Sequence, residues 1–167
     1  MSKKLFLLPA LVMGAFLLFM PACGESDPCK DVECGANGIC IEGTCDCDPG
    51  YELGASSKCD VEWATKFLGS YTGTDGCGGA LTQPVNITRI SERRIRITNF
   101  GGFGSYVDAD IKVVSGTANA FELNNYVDPA QRRFTGSGTL TGNAISATYT
   151  VTYTDGTSET CTFNITK

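Results

Sequence analysis

The spacing of six cysteines near the N-terminus constrains the fold more than any other feature of the sequence. They are Cys29, Cys34, Cys40, Cys45, Cys47 and Cys59, separated by 4, 5, 4, 1 and 11 residues. The chain has nine cysteines in 167 residues, which is typical of proteins from an oxidising compartment. A short segment with few large apolar side chains cannot offset its chain entropy by burial. We therefore predict a small module over residues 27–60 that disulfides hold together in place of a core.

The last part of this spacing is specific, because one residue separates Cys45 from Cys47, and Gly50 and Tyr51 follow. Six cysteines alone allow fifteen pairings. The segment resembles an EGF-like domain, which carries the pattern Cys-x-Cys-x-x-Gly-Tyr. The resemblance implies an EGF-like domain over residues 27–60, with the pairs Cys29–Cys40, Cys34–Cys45 and Cys47–Cys59.

Some EGF-like domains bind calcium through acids just before the first cysteine, and Glu25 and Asp27 lie there. Pro28 departs from that pattern, and residues 41–44 supply no Asn or Asp between the third and fourth cysteines. The absence of His and of Cys-x-x-Cys pairs argues against zinc. We expect no metal and no cofactor, and Glu25 and Asp27 are the calcium candidates if that expectation fails.

The N-terminal residues indicate export and attachment to a membrane. Two lysines precede an uncharged apolar run over residues 5–20, and Ala22 stands directly before Cys23. This segment resembles a bacterial lipoprotein signal, in which a small residue precedes a cysteine that is lipidated and becomes the new N-terminus. The resemblance implies a signal peptide at residues 1–22, lipidation of Cys23 and a linker over residues 23–26.

A plain signal peptide and an uncleaved anchor are the alternatives, and both leave Cys23 as an unexplained free thiol. A lipidated Cys23 leaves eight cysteines, which can pair completely. A diacylglyceryl thioether carries at least two acyl chains, which is enough for stable anchoring. We expect a lipid-anchored protein of a bacterial cell envelope, in the outer membrane and facing the periplasm or the cell surface.

Residues 63–167 are rich in Thr, Gly, Ile and aromatic residues, with turn signals every eight to twelve residues. The clearest strand is residues 143–154, where apolar and hydroxyl side chains alternate strictly. Asp155 and Gly156 mark a tight hairpin after it. The same reasoning predicts about eight strands, over residues 67–74, 82–90, 94–100, 106–113, 120–127, 133–141, 143–154 and 158–166.

Short connections between these strands favour an all-β fold with an antiparallel up-and-down β-barrel over residues 63–167, and a β-sandwich is the alternative. Cys77 follows the first strand and Cys161 lies in the last, so barrel closure would bring them together as a fourth disulfide. Residues 66–71 resemble the entry strand of lipocalin-like barrels. The whole chain is similar to bacterial surface lipoproteins that join an EGF-like module to a lipocalin-like β domain. That resemblance implies architecture rather than activity.

Composition also limits the chemistry. With no His there is no Ser-His-Asp or Cys-His relay. Asp108 and Asp110 share one strand face, but we expect them to point to solvent, so a carboxylate-based enzyme is the least favoured class. Arg93, Arg94 and Arg96 form a candidate patch for an anionic partner. The net charge of −5 argues against nucleic acid as a partner.

The barrel interior decides between the two remaining functions, because eight strands enclose either packed side chains or one small ligand. Phe134, Tyr149 and Tyr153 lie on predicted inward faces, where Gly136 and Gly138 would leave space. We favour a filled barrel in a non-enzymatic interaction or structural protein with a protein or glycan partner at its surface. The alternative is a lipocalin-like carrier of a small apolar ligand held by Phe134, Tyr149 and Tyr153.

Overall fold

The computed structural model describes residues 27–167. The predicted signal peptide, Cys23 and Glu25 therefore lie outside the described residues. Within residues 27–167, no helix combines the length and the apolar character needed to cross a bilayer.

Two antiparallel hairpins make up the N-terminal module. The first pairs β1 (Gly38–Ile41) with β2 (Thr44–Cys47), and the second pairs β3 (Tyr51–Leu53) with β4 (Cys59–Glu62). Disulfides join Cys29 to Cys40, Cys34 to Cys45 and Cys47 to Cys59, which are the pairs that the EGF-like resemblance implies. The buried side chains of the module are those of Cys34 and Cys59, so crosslinks replace an apolar core.

Short turns connect most of the strands in the C-terminal part. These strands are β5 (Gly69–Asp75), β6 (Gly79–Ala80), β7 (Val85–Ser91), β8 (Arg94–Thr98), β9 (Tyr106–Val114), β10 (Thr117–Val127), β11 (Arg133–Thr141), β12 (Ala144–Thr152) and β13 (Ser158–Thr166). Two short 3₁₀ helices, Ala64–Lys66 and Phe100–Gly102, lie before β5 and after β8.

These strands close into an eight-stranded antiparallel barrel, which confirms the predicted fold class. Apart from the two-residue β6, each strand pairs with the next along the chain, and β13 pairs with β5 from Phe163↔Asp75 to Thr166↔Thr72. That last pairing excludes the β-sandwich, because a sandwich would leave β5 and β13 at sheet edges. A disulfide between Cys77 and Cys161 lies beside the closing seam.

Three predicted strand starts are wrong: β10 begins at Thr117 rather than at residue 120, and the other two differ for identifiable reasons. The first strand begins at Gly69 rather than at residue 67, because Ala64–Lys66 forms a 3₁₀ helix that turns Phe67 into the core. The Tyr71 hydroxyl donates to the Phe67 carbonyl at 2.7 Å and fixes this turn. The second begins at Val85 rather than at residue 82, since Pro84 has no N–H for a ladder.

The module packs against one end of the barrel. The Glu52 carboxylate accepts from Lys66 Nζ at 2.7 Å and from the Ala118 amide at 3.0 Å. The Trp63 amide donates to the Gly50 carbonyl at 2.9 Å. The loops that follow β5, β8, β10 and β12 lie at the opposite end, which we call the distal end. The module therefore leaves the distal end and the side wall of the barrel free.

Candidate functional site

The barrel interior is filled by aromatic side chains. Phe100 lies at its centre, with its ring centroid 4.6 Å from those of Tyr149 and Phe163 and 6.0 Å from that of Phe134. All four side chains are fully buried. The prediction that Phe134 and Tyr149 line a ligand cavity is therefore wrong, because these rings pack on one another through Phe100. Sequence reasoning missed Phe100, which it placed at the end of a strand rather than inside the barrel.

Tyr153, the third predicted cavity residue, lies at the rim of the interior, where it packs against the buried core. It follows the last residue of β12, is only partly buried, and its hydroxyl donates to the Glu159 carboxylate at the distal end. That hydrogen bond raises the pKa of Tyr153, with a smaller contribution from burial. The strict alternation of the strand predicts an inward side chain here, but the strand ends one residue earlier.

The glycines of β11 do not leave empty space either. A Cβ atom at Gly138 would lie 2.4 Å from Phe121 Cζ, so the ring of Phe121 already fills the volume that a side chain would use. At Gly136 a Cβ atom would lie 2.4 Å from the Thr148 carbonyl oxygen, because the backbone of β12 approaches closely. The expectation of local space at these positions is wrong, since neighbouring strands supply the missing bulk.

One buried carboxylate lies at the distal end of the interior. Asp75 accepts from the Tyr149 hydroxyl at 2.8 Å and from the amides of Cys77 and Gly78 at 2.9 and 3.0 Å. Burial raises the pKa of Tyr149 strongly, and the hydrogen bond to Asp75 adds to this effect. The phenol therefore remains a neutral donor. The sulfur atoms of Cys77 and Cys161 also lie close to Asp75, but both belong to a disulfide and offer no thiolate ligand.

A second buried carboxylate, Asp128, closes the loop between β10 and β11. Its oxygens accept from the Arg132 amide at 2.9 Å and from the Arg132 guanidinium at 2.9 and 2.5 Å. Burial alone would raise the pKa of Asp128, but the hydrogen bonds from Arg132 outweigh it and lower the pKa. The guanidinium also lies 4.7 Å from the Phe103 ring centroid. The sequence signal for this pair is an acid and an arginine four residues apart, with Pro129 between them. The sequence analysis did not identify it.

The predicted arginine patch does not form a free cluster of positive charge. Arg96 makes a two-point contact with Asp108, at 2.7 and 3.0 Å, and its guanidinium lies 3.9 Å from the Tyr106 ring centroid. Arg94 pairs with Asp110 at 3.6 Å. Arg93 lies in the turn before β8, beside Gly50 of the N-terminal module. The cross-strand register of β8 and β9 therefore neutralises two of the three arginines.

Of the two calcium candidates, only Asp27 lies within the described residues. Its Oδ1 accepts from the Cys29 amide at 2.9 Å and so closes the first turn of the module. The carboxylate thus has a local structural role in this turn.

The outer wall of the barrel divides into two halves of different chemistry. The first half consists of strands β7 to β10, where cross-strand ion pairs join β8 to β9 and β9 to β10, namely Arg94–Asp110, Arg96–Asp108 and Lys112–Glu122. On β11, β12, β13 and β5, every outward position except Arg133, Ala144 and Asn164 carries a hydroxyl group. We call this second half the hydroxyl face. Its members are Ser70, Thr72, Thr74, Thr135, Ser137, Thr139, Thr141, Ser146, Thr148, Thr150, Thr152, Ser158, Thr160, Thr162 and Thr166.

A groove of about 430 Å³ lies where the module meets the barrel. Trp63, Tyr51, Leu53 and Val113 line it together with the acidic side chains of the module. Leu53 and Val113 are each about half exposed. Nothing in the described part of the chain covers this groove.

Among the comparisons with known proteins, one matches the N-terminal module and none matches the barrel. The family model described as EGF-like domain matches residues 29–56. No curated protein matches the chain, and no solved structure does. The protein thus combines an EGF-like domain with a closed eight-stranded antiparallel β-barrel.

Proposed function

We propose that this protein is a lipid-anchored component of a bacterial cell envelope that acts through non-enzymatic contacts of its outer surface. The lipoprotein-like signal before Cys23 supports the anchor, and the EGF-like domain supports a role in interaction. The proposal assigns the chain no catalytic residue, no cofactor and no nucleic-acid partner. Its localisation is the outer membrane, facing the periplasm or the cell surface.

The filled barrel interior is the observation that carries this proposal. A carrier needs an enclosed apolar cavity of several hundred Å³ that surrounds most of its ligand. Here the positions predicted for that cavity are taken by the rings of Phe100, Tyr149 and Phe163, with centroids only 4.6 Å apart. A ligand inside the barrel would have to displace close-packed aromatic side chains. The outer surface is therefore favoured as the place of function.

The arrangement of the module also fits an anchored protein. Five residues lie between Cys23 and Cys29, so an extended linker would span six Cα–Cα steps, or roughly 20 Å, from the lipid to the module. The module packs on one end of the barrel through Glu52 and Gly50. In the proposed arrangement it acts as a spacer that presents the side wall and the distal end of the barrel to partners.

Two measurements on the full chain test the proposal. In a bacterial host, the wild type and a Ser26→Ala control should fractionate with membranes and carry the mass of a lipid at residue 23, whereas Cys23→Ser should do neither. Membrane recovery of Cys23→Ser at the wild-type mass would refute the anchor. Separately, titration with cis-parinaric acid should show no saturable binding. One-to-one saturable binding that Phe134→Trp abolishes would favour the carrier instead.

A further inference from the structure

The hydroxyl face extends over four adjacent strands of the barrel wall. Its side chains alternate with the buried residues of four adjacent strands, so all of them point outward. The sole charged side chain at an outward position is Arg133, at the distal end of β11. By contrast, strands β8 to β10 carry side chains of both charge signs, which form cross-strand ion pairs. A sheet face of this size with a single charged side chain is unusual for a protein surface, which is ordinarily rich in charged residues.

The register aligns these hydroxyl groups in rows across the strands. One row runs Ser137↔Thr148↔Thr162, and the next runs Thr139↔Ser146↔Asn164, which continues to Thr74 on β5. Neighbouring groups in a row are spaced by the strand separation of about 4.8 Å. Neighbouring rows are two residues apart along the strands, or roughly 6.7 Å. The face therefore presents donors and acceptors at regular intervals in two directions.

A shallow groove of about 290 Å³ runs through the middle of these rows. Ser137, Thr139, Ser146, Thr148 and Thr162 line it together with Asn164. It lies over the paired Gly138 and Ala147, which add no bulk between the hydroxyl groups because Gly138 has no side chain and the Ala147 methyl group points inward. The hydroxyl face thus contains a concave strip with polar side chains on both sides.

The hydroxyl groups in this groove are free to bind a partner. Nearer the distal end, Thr150 bonds to Thr160 at 3.1 Å and Thr152 bonds to Ser158 at 2.8 Å. Within residues 27–167, the hydroxyl groups of Thr139, Thr148 and Thr162 have no such side-chain partner. Each can donate one hydrogen bond and accept others.

We propose that the groove of the hydroxyl face binds a neutral polysaccharide. A chain of sugar units offers the matching chemistry, because it repeats hydroxyl donors and acceptors along an extended, uncharged backbone. Repeated rows can engage repeated units, so weak contacts add up. The proposal rests on the proposed function, of which it names the partner and the surface.

The composition of the face favours this partner over the other classes. Protein interfaces draw most of their binding energy from Trp, Tyr and Arg, and serine and threonine contribute little. Nucleic acids and anionic membranes require basic side chains, of which the groove has none. Hydroxyl and amide groups remain as the recognition chemistry, and they suit an uncharged polyol.

The test measures binding of the full lipidated chain, held in detergent micelles, to immobilised dextran, amylose and laminarin. Alginate serves as the charged comparison. The main variant combines Thr139→Val, Thr148→Val and Thr162→Val, which keeps the side-chain shape and the strand preference but removes three hydroxyl groups. The matched variant places Ser at the same three positions and keeps the hydroxyl groups. Thr88→Val, on the charged half of the wall, is the control for a substitution elsewhere.

We expect at least one neutral polysaccharide to bind, and binding to fall by at least about tenfold in the valine variant. The serine variant and Thr88→Val should keep most of the affinity. Equal binding by the valine variant, binding of alginate alone, or no binding of any neutral polysaccharide would overturn the proposal. Concentration-dependent self-association lost in the valine variant would overturn it too, because a second copy of the chain would then be the occupant.

The outcome of this test is independent of the two tests of the proposed function. If no polysaccharide bound, the expected results for Cys23→Ser and for cis-parinaric acid would be unchanged. Loss of the anchor would leave the binding of polysaccharide by the barrel wall unchanged. If the valine variant proves less soluble, Thr148→Ala alone gives a second measurement with a smaller expected loss.

Discussion

The disulfide between Cys77 and Cys161 should contribute more to the stability of the barrel than any other single crosslink. It closes a loop with a sequence separation of 84 residues and joins the end of the first barrel strand to the last. The chain-entropy relation for that loop gives about 4.6 kcal/mol at 25 °C. The Cys29–Cys40 disulfide closes a separation of 11 residues, for which the same relation gives about 2.8 kcal/mol.

The perturbation is the double substitution Cys77→Ser and Cys161→Ala, measured by equilibrium urea unfolding followed by far-ultraviolet circular dichroism. We expect the free energy of unfolding of the barrel to fall by about 4–6 kcal/mol, because loss of the buried Cys161 sulfur adds a small packing cost. The m-value should rise, since the unfolded chain is no longer held in a loop and exposes more surface.

The matched control replaces Cys29 and Cys40 by Ala. That change should destabilise the module and leave the barrel transition nearly unchanged, because both cysteines lie in the module. A barrel transition that shifts by less than about 2 kcal/mol in the Cys77/Cys161 variant would refute the reasoning. It would mean that the two ends of the barrel stay associated in the unfolded chain without a covalent link.

Four further predictions concern buried groups. Arg132→Ala should lower the free energy of unfolding by about 3–5 kcal/mol, because it leaves the Asp128 carboxylate buried without its partner. The pKa of Asp128 is lower in the folded state, so its stabilising effect is present at neutral pH. That effect should be lost in wild-type urea unfolding as the pH falls below about 4; Asp128→Asn should flatten this pH dependence. Gly138→Val should lower the thermal midpoint and cost about 1–3 kcal/mol, since its Cβ would meet an aromatic ring at 2.4 Å; an unchanged midpoint would contradict the packing described. Tyr149→Phe should cost about 1–3 kcal/mol, because one oxygen of buried Asp75 loses its donor; wild-type stability would show that water replaces the phenol.

The strands were predictable because a barrel has one buried and one exposed face along every strand. In β12 the alternation of residues 144–152 specifies both the strand and its inward side chains. The EGF-like module was predictable from cysteine spacing alone, since crosslinks rather than packing define it. In both segments the residues that specify the structure lie close together in the sequence.

The filling of the barrel could not be derived in the same way. Alternation predicts that Gly138 faces inward, but it does not show that Phe121 from the neighbouring strand enters the vacated space. Phe100 reaches the core from a 3₁₀ helix, because Asn99 adopts a left-handed conformation with φ of 58° and ends the strand. The two-residue alternation of apolar side chains in a strand does not predict such a turn.

The pairing of charges depends equally on information that the sequence lacks. Arg96 meets Asp108 only because the loop between β8 and β9 sets their register, as Arg96↔Asp108. A shift of one residue would place these side chains on opposite faces of the sheet. The sequence therefore predicts a free cluster of three arginines, whereas in the structure Arg94 and Arg96 form ion pairs.

The central claim is that the barrel is filled and that the outer surface carries the function. Diffraction from crystals pressurised with xenon tests it most directly, because xenon enters apolar cavities that water leaves empty. We expect no xenon site within the barrel. An ordered xenon atom bordered by Phe134, Tyr149 and Phe163 would contradict it and favour a carrier of small apolar ligands.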